Sequence, residues 1–278
     1  MFMLGIVYSV KDPAGSGVAK YLLSELKPVE SNVCRGSITC FTGDTFVLGG
    51  FSEDVIFFDF LDERLPQNIE FYLVLSRHSS ESRIKSYTVH ATGNFSDEAL
   101  AGGRPRELGI AHPLVEWFLL RALYKLSRDF PERSNYEVSY EATHHGPTNL
   151  IKPVVFIEIG SSLEEWVDSM NHSVIGESVK LLINAYSSLP SCRVCIGVGG
   201  GHYPRKHTEL ALNQDYCYGH IASKHVLDYI NMETLMKMKE KTCGEVNYVI
   251  VEKKGTRLEQ RKLIENYARA NNLTLKYI

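Results

Sequence analysis

The sequence predicts an α/β protein built on an open sheet whose strands alternate with helices. Runs with the period of a strand recur along the chain, and stretches with the 3.6-residue period of a helix fall between them. Histidine, glutamate and glycine repeatedly follow the strand-like runs, which would gather polar side chains at the carboxyl ends of the strands. The bulk numbers agree: 278 residues, 44% hydrophobic and 23% charged, suit a soluble globule with a sizeable core. No repeat, low-complexity tract or Pro/Ser-rich linker divides the chain, so residues 1–278 are read as one domain.

Phe2 to Val10 is the first expected strand. Lys11 to Gly17 turns, and Val18 to Leu26 is helical with Ser16 as N-cap. Such a loop can hold a phosphate on helix N–H groups, although neither Walker A nor G-x-G-x-x-G is present; a plain β-to-α connection is the alternative. Ser37 to Phe41, Thr45 to Leu48, Val55 to Phe60 and Phe71 to Ser76 are β-prone, the last delivering Arg77 and His78. In Lys85 to Ala91, Tyr87, Val89 and Ala91 alternate with Ser86, Thr88 and His90. Ala101 to Arg106 is a basic loop. Leu114 to Phe130 is the clearest amphipathic helix, its apolar face formed by Val115, Phe118, Leu119, Ala122, Leu123 and Leu126.

Tyr136 to Thr143 alternates again, with Glu137, Ser139, Glu141 and Thr143 on one side, and ends at His144-His145. Neighbours on an extended chain face opposite ways, so one of these histidines is expected to join a cluster unless the Gly146-Pro147 turn intervenes. Pro153 to Ile159 reads as a buried central strand. Glu158 interrupts it and is expected at an exposed strand end, since a buried carboxylate needs a partner or a cation. Helices are expected at Ser162 to Asp168 and Gly176 to Leu189.

The densest chemistry lies between Val194 and Glu209. A short strand ends in Gly197, Gly199, Gly200 and Gly201, followed by His202, Arg205, Lys206, His207 and Glu209. Lys206 to Leu212 is helical, and His207 in its first turn would be kept neutral by the helix dipole. Tyr218 to Ala222 is a strand or loop, Ser223 to Ile230 and Asn231 to Lys241 are helices, and Val246 to Val251, Thr256 to Asn271 and Leu273 to Ile278 close the chain as strand, helix and strand. Arg257 and Arg261 make a basic face that suits phosphates or plain solvation.

Net charge of −3 argues against non-specific nucleic-acid binding, so a nucleic-acid partner needs a local basic patch. No apolar run approaches a membrane span and no basic n-region precedes Met1 to Val10. A cytoplasmic protein with reduced thiols is expected. The lone Cys192-x-x-Cys195 lacks the second pair of a zinc knuckle, so its cysteines are read as buried strand residues.

Histidines and acids without H-E-x-x-H or G-x-S-x-G point to water activated by a metal or a general base. His202 and His207, with Glu209 or Glu141, are the candidate catalytic groups, and Gly200 and Gly201 the candidate oxyanion donors. His78, His90, His144 and His145 are candidate metal ligands. Lys11, Arg104, Arg205 and Lys206 are the candidate cations for phosphates.

The motifs Y-S-V-K-D-P-A-G-S from Tyr8, S-R-H-S-S from Ser76, H-A-T-G-N from His90, E-A-T-H-H-G-P-T from Glu141, G-V-G-G-G-H-Y-P-R-K-H-T-E from Gly197 and Y-G-H-I-A-S-K-H from Tyr218 together resemble the archaeal and plant type of D-aminoacyl-tRNA deacylase. The resemblance spans most of the chain. It implies hydrolysis of the ester joining a D-amino acid to tRNA, zinc as cofactor, a monomer, and a three-layer α/β/α fold with a mixed central sheet similar to the phosphorylase/peptidyl-tRNA hydrolase class. The competing class is another metal-dependent hydrolase, of peptidase or deacetylase type. A non-catalytic tRNA-binding module is a third, disfavoured because a pure binder needs arginine, lysine and aromatics rather than neutral imidazoles.

Overall fold

A computed structural model describes residues 3–80 and 83–278; Phe2, the expected start of the first strand, lies outside them. The chain opens with strand β1 (Met3–Ser9) and helix α1 (Pro13–Leu26). Next come β2 (Val29–Glu30), β3 (Thr39–Thr42), β4 (Phe46–Phe51), the short α2 (Leu61–Arg64), β5 (Ile69–Ser79) and β6 (Ser86–Ala91). Helix α3 (Pro113–Asp129) leads to β7 (Glu137–Tyr140), β8 (Val154–Ser161), α4 (Leu163–Trp166) and α5 (Ser169–Ala185). The last part alternates as β9 (Arg193–Val198), α6 (Arg205–Asn213), β10 (Tyr216–Ala222), α7 (Met232–Glu240), β11 (Tyr248–Val251), α8 (Leu258–Ala270) and β12 (Thr274–Tyr277).

Among the described residues the strands form two sheets. The larger is mixed, in the order β2-β3-β4-β1-β5-β8-β6-β7, and the smaller runs β10-β9-β11-β12 with all neighbours parallel. In the larger sheet β4, β1, β5 and β8 are parallel, β6 runs antiparallel to β8, and β7 parallel to β6. Helices α1, α3 and α5 cover one face; their Val18, Leu22, Val115, Leu119, Leu123, Val174 and Leu182 meet Leu73, Leu75, Val89 and Ile157 of the strands. Each such side chain contributes about 1.5–3 kcal/mol by leaving water. Cys195, Tyr218 and Ile221 of the smaller sheet join the same core. On the opposite face a turn at Val55–Phe57 and α2 cover Val47, Tyr72, Val74 and Phe156.

Several local expectations need correcting. Helix α1 begins at Pro13, not Val18, because Asp12 rather than Ser16 is its N-cap: the Asp12 carboxylate accepts from Ala14 N and Gly15 N. Those N–H groups are therefore spent, and the loop is not a phosphate cradle. Glycine is required at 15, where a Cβ would lie 2.5 Å from the Leu75 carbonyl oxygen. Val55 to Phe60 is not a strand; it opens as a 3-10 turn. Helix α5 starts at Ser169, capped by Asp168, well before Gly176.

The expectation of reduced thiols is also overturned. Cys34 pairs with Cys40, and Cys192 with Cys217. Cys192 precedes β9, and Cys217 stands beside Val194 on the adjacent β10, a neighbour relation set by sheet order and not by sequence spacing. Of the two cysteines expected to be buried strand residues, Cys195 is buried and free on β9, whereas Cys192 is partly exposed ahead of the strand. No helix is long and apolar enough to cross a membrane among the described residues.

Candidate active site

Pleating and register put four of the polar side chains on one face of the larger sheet. On β8, Glu158 shares a face with Phe156 and Gly160 and alternates with Ile157 and Ile159. Glu158 stands level with Ser76 on β5 and Thr88 on β6. Two residues on, His78 projects from the same face of β5, and His90 from the same face of β6. Because β6 is antiparallel to β8, His78 and His90 lie on either side of Glu158 rather than along one rim. Glu141, just past β7, hydrogen-bonds through its N–H to Val89 O and shares the face of Glu137 and Ser139. Glycine at 160 leaves room: a Cβ there would come within 3.3 Å of the His78 ring.

Two loops close over this face. The segment after β7 is tied to β10 by Thr143 N–H donating to Ile221 O, and Gly93 N–H donates to His145 O. His145 takes φ of 46°, so the chain is not extended there and both His144 and His145 turn toward His90, at ring separations of 4.4 and 4.9 Å. The glycine turn after β9 delivers His202, whose carbonyl accepts from Ala142 N. Positive φ at Gly199 and Gly200 makes that turn possible.

The result is a cluster of five imidazoles and two carboxylates. Glu141 meets His202 Nε2 at 2.8 Å, His78 Nδ1 at 3.0 Å and His144 Nε2 at 3.5 Å. Glu158 meets His78 Nδ1 at 3.4 Å and His90 Nε2 at 3.7 Å. Both acids are buried, as is His90, while the His202 side chain is 41% exposed. Glu158 is thus no exposed strand end: it is the buried centre between two histidines. Its signal in the sequence was a carboxylate inside an apolar strand.

Charge follows from these partners. Burial opposes a charge on His78, yet Glu141 and Glu158 raise its pKa to about 10. His90 is likewise raised, Glu158 outweighing burial. Burial favours protonation of Glu141, but His202 and His78 hold it well below the usual carboxylate range. Glu158 is lowered too, His78 and His90 outweighing burial and the neighbouring Glu141. Burial and neighbouring imidazoles keep His144 well below an ordinary histidine and His145 down at about 4.

The donors fit a zinc ion. His90, His144 and His145 each direct Nδ1 at a backbone carbonyl: Ala91 O at 3.1 Å, Ala142 O at 2.9 Å and Gly146 O at 2.7 Å. A carbonyl only accepts, so each Nδ1 carries a proton and each Nε2 is left for the cluster; His144 and His145, held neutral, keep the Nε2 lone pair, and His90 offers one when a metal displaces its Nε2 proton. That is the arrangement by which a protein orients metal-binding histidines. The three offer ligand atoms within 4.8 Å of one another, as do His78, Glu141 and His202, and His90, Glu141 and Glu158. The Nε2 atoms of His78 and His90 are buried without a hydrogen-bond partner.

A cavity of about 310 Å³ opens onto the cluster, lined by His78, His144, His145, His202, Glu158, Arg77, Asp12, Asp54, Val55 and Ile56, among others. Of the expected site residues, His78, His90, His144, His145, His202 and Glu141 come together. His207 does not: α6 turns its ring inward against Tyr218, 5.0 Å away, and burial lowers its pKa to about 4. Glu209 is exposed on the other side of that helix. At the glycine turn, Gly199 N–H already donates to Ala222 O, and Gly200 packs against Glu252 and Pro204 of the smaller sheet's rim. Neither Gly200 nor Gly201 lines the cavity. Lys11, Arg104, Arg205 and Lys206 also lie outside it, and Arg205 is engaged through both nitrogens by Glu137 at 2.9–3.0 Å. Arg77 is the cation that sequence reading passed over.

Comparisons with known proteins show the family to which the chain is similar. The family model for D-aminoacyl-tRNA deacylase matches residues 65–276. A curated D-aminoacyl-tRNA deacylase from Desulfurococcus amylolyticus is 55% identical over 99% of this chain and 100% of its own length. One from Staphylothermus marinus is 53% identical over the whole of both chains. A crystal structure described as a conserved protein of unknown function superposes with a TM-score of 0.90 at 30% identity, covering 99% of this chain and 95% of the other.

Proposed function

The chain belongs to the D-aminoacyl-tRNA deacylase family, enzymes that hydrolyse aminoacyl-tRNA esters, and from that premise we propose that the imidazole–carboxylate cluster is where the ester of D-aminoacyl-tRNA is cleaved by water. The observation that carries this reading is the pairing of His202 Nε2 with the ionised, buried Glu141 at 2.8 Å, beside three imidazoles whose ligand nitrogens converge.

Glu141 fixes the tautomer of His202. With Nε2–H donated to the carboxylate, Nδ1 is the basic nitrogen, and His202, more exposed than His144 at 41% against 32%, is the imidazole that takes the proton from water. His78, held protonated by two carboxylates, offers its Nε2–H to the negative charge that develops on the ester oxygen. His90, His144 and His145, with Glu158 beside them, would hold zinc. The chemistry a zinc ion held by these residues would supply is that of a Lewis acid for the ester carbonyl and for bound water, whose pKa such an ion lowers to about 7. Val55 and Ile56 form an apolar wall of fixed shape, and chirality is selected where that wall excludes an L side chain. A tRNA substrate fits a cytoplasmic enzyme, and the monomer expected from the family resemblance is part of the same reading.

The test is hydrolysis of matched D- and L-aminoacyl-tRNA with and without chelator, alongside zinc content by mass spectrometry. The expected result is D-selective cleavage, about one zinc-binding centre lost in a His90→Ala variant, and activity removed by chelator. Full activity in metal-free protein would leave the zinc assignment without support; cleavage of L esters at equal rate would remove the stereochemical one.

A further inference from the structure

β5 carries a second side chain at the mouth of the same cavity. Next to His78, the pleat starts Arg77 from the opposite face of β5, at the end of the strand. There its backbone N–H donates to Asp12 Oδ2 at 2.9 Å and its guanidinium lies over the Trp166 ring, 5.7 Å from the centroid. Trp166 is fixed against the active site, because its indole N–H donates to the carbonyl of His78 at 3.0 Å. The guanidinium is loosely paired: it donates to Asp54 Oδ2 at 3.5 Å and lies 3.9 Å from Asp12 Oδ2, and the side chain is 35% exposed. Arg205, by contrast, is saturated by Glu137.

Beyond Trp166 the surface continues as a groove of about 520 Å³, lined by Gly17, Lys20, Tyr21, Val167 and His172, among others. The His172 Nε2 faces the backbone carbonyl of Trp166 at 2.7 Å, which ties the groove wall to the main chain of that residue. Val167 is 55% exposed at its mouth. A fixed aromatic ring between a loosely paired arginine at the cavity and a lysine in the neighbouring groove makes the pattern of a single-strand track: cations follow the backbone and rings take the bases.

We propose that this track binds the single-stranded 3′ end of the substrate tRNA, a proposal that rests on the deacylase reading above. Arg77 meets the phosphate that joins the terminal adenosine to the nucleotide before it, and Trp166 with the groove takes that preceding nucleotide. Asp54 competes with the phosphate for the same guanidinium.

The experiment compares full D-aminoacyl-tRNA with D-aminoacyl-adenosine, which has the ester and terminal nucleoside but neither that phosphate nor the preceding nucleotide. Arg77→Ala and Trp166→Ala are expected to raise KM on the tRNA about tenfold, from the roughly 1–3 kcal/mol of one stacked base, while KM on the short ester moves less than threefold. Trp166→Phe should restore most of the tRNA affinity, and Asp54→Asn should lower KM on the tRNA. Equal changes on both substrates overturn the proposal. So does a Trp166→Phe variant that matches Trp166→Ala and loses kcat on both, since Trp166 would then only position His78. A parent enzyme that cleaves neither ester removes the deacylase reading itself and this track with it.

Discussion

Glu141→Gln removes one charge from the centre of the cluster and nothing from its volume. The parent carboxylate is 2% exposed and meets three imidazoles, two of them within 3.0 Å. Removing one partner of a buried ion pair costs about 3–5 kcal/mol. Glutamine still fills the space, which favours the lower end, or roughly 6–12 °C in Tm for a protein of this size. The pH dependence carries the sign. His78 has its pKa raised to about 10 in the folded chain, so its contribution is complete below the ordinary value of 6.5 and is lost as pH rises toward 10. Glu141 is depressed, so its contribution is present above 4.5 and lost as pH falls below it. In metal-free protein the parent's advantage should therefore be greatest between about pH 4.5 and 6.5 and shrink toward pH 10. Loss of an oriented base predicts a fall in kcat of about 10²–10⁴. Thermal melts across pH, paired with single-turnover deacylation, measure both. A variant with the parent's Tm at pH 6 and a rate within threefold would refute the reasoning.

Three further outcomes follow from the same contacts. His207→Leu should keep kcat within about threefold, since the ring lies against Tyr218 and outside the cavity. Because burial holds His207 at about 4, its stability contribution is present above pH 6.5 and lost as pH falls toward 4, so denaturant titrations should show the parent losing about 3 kcal/mol more than the variant over that window. Cys192→Ser opens a disulfide spanning 25 residues and should lower stability by about 3 kcal/mol, a difference that disappears when both proteins are melted in reductant. His145→Ala should lower zinc affinity by at least about tenfold in a competition titration while leaving the far-ultraviolet spectrum unchanged, because one of three oriented imidazoles is gone.

The period-two alternations in the sequence already put His90 with Thr88 and Glu141 with Ser139, and these do share one sheet face. The amphipathic pattern of α3 was equally plain, because a helix that covers a sheet must repeat its apolar contacts. What lay beyond the sequence was strand order. Glu158 reads as a strand-end acid until β8 is known to lie between β5 and β6, which bring His78 and His90 to it. The same holds for Cys192, whose partner is set by β9 lying beside β10. His145 depended on a single backbone angle, since an extended residue there would have faced away from His90. His207 misled because a histidine in the first turn of a helix looks exposed in sequence, whereas the packing of α6 turns it inward.

The claim on which the account stands is that His202, fixed by Glu141, takes the proton from the attacking water. Its most direct measurement is the single-turnover rate of D-aminoacyl-tRNA cleavage by His202→Ala, with circular dichroism and zinc content recorded on the same preparation. The account predicts a rate at least about 100-fold below the parent with fold and zinc unchanged. A well-folded, zinc-loaded variant that cleaves at the parent's rate would contradict it.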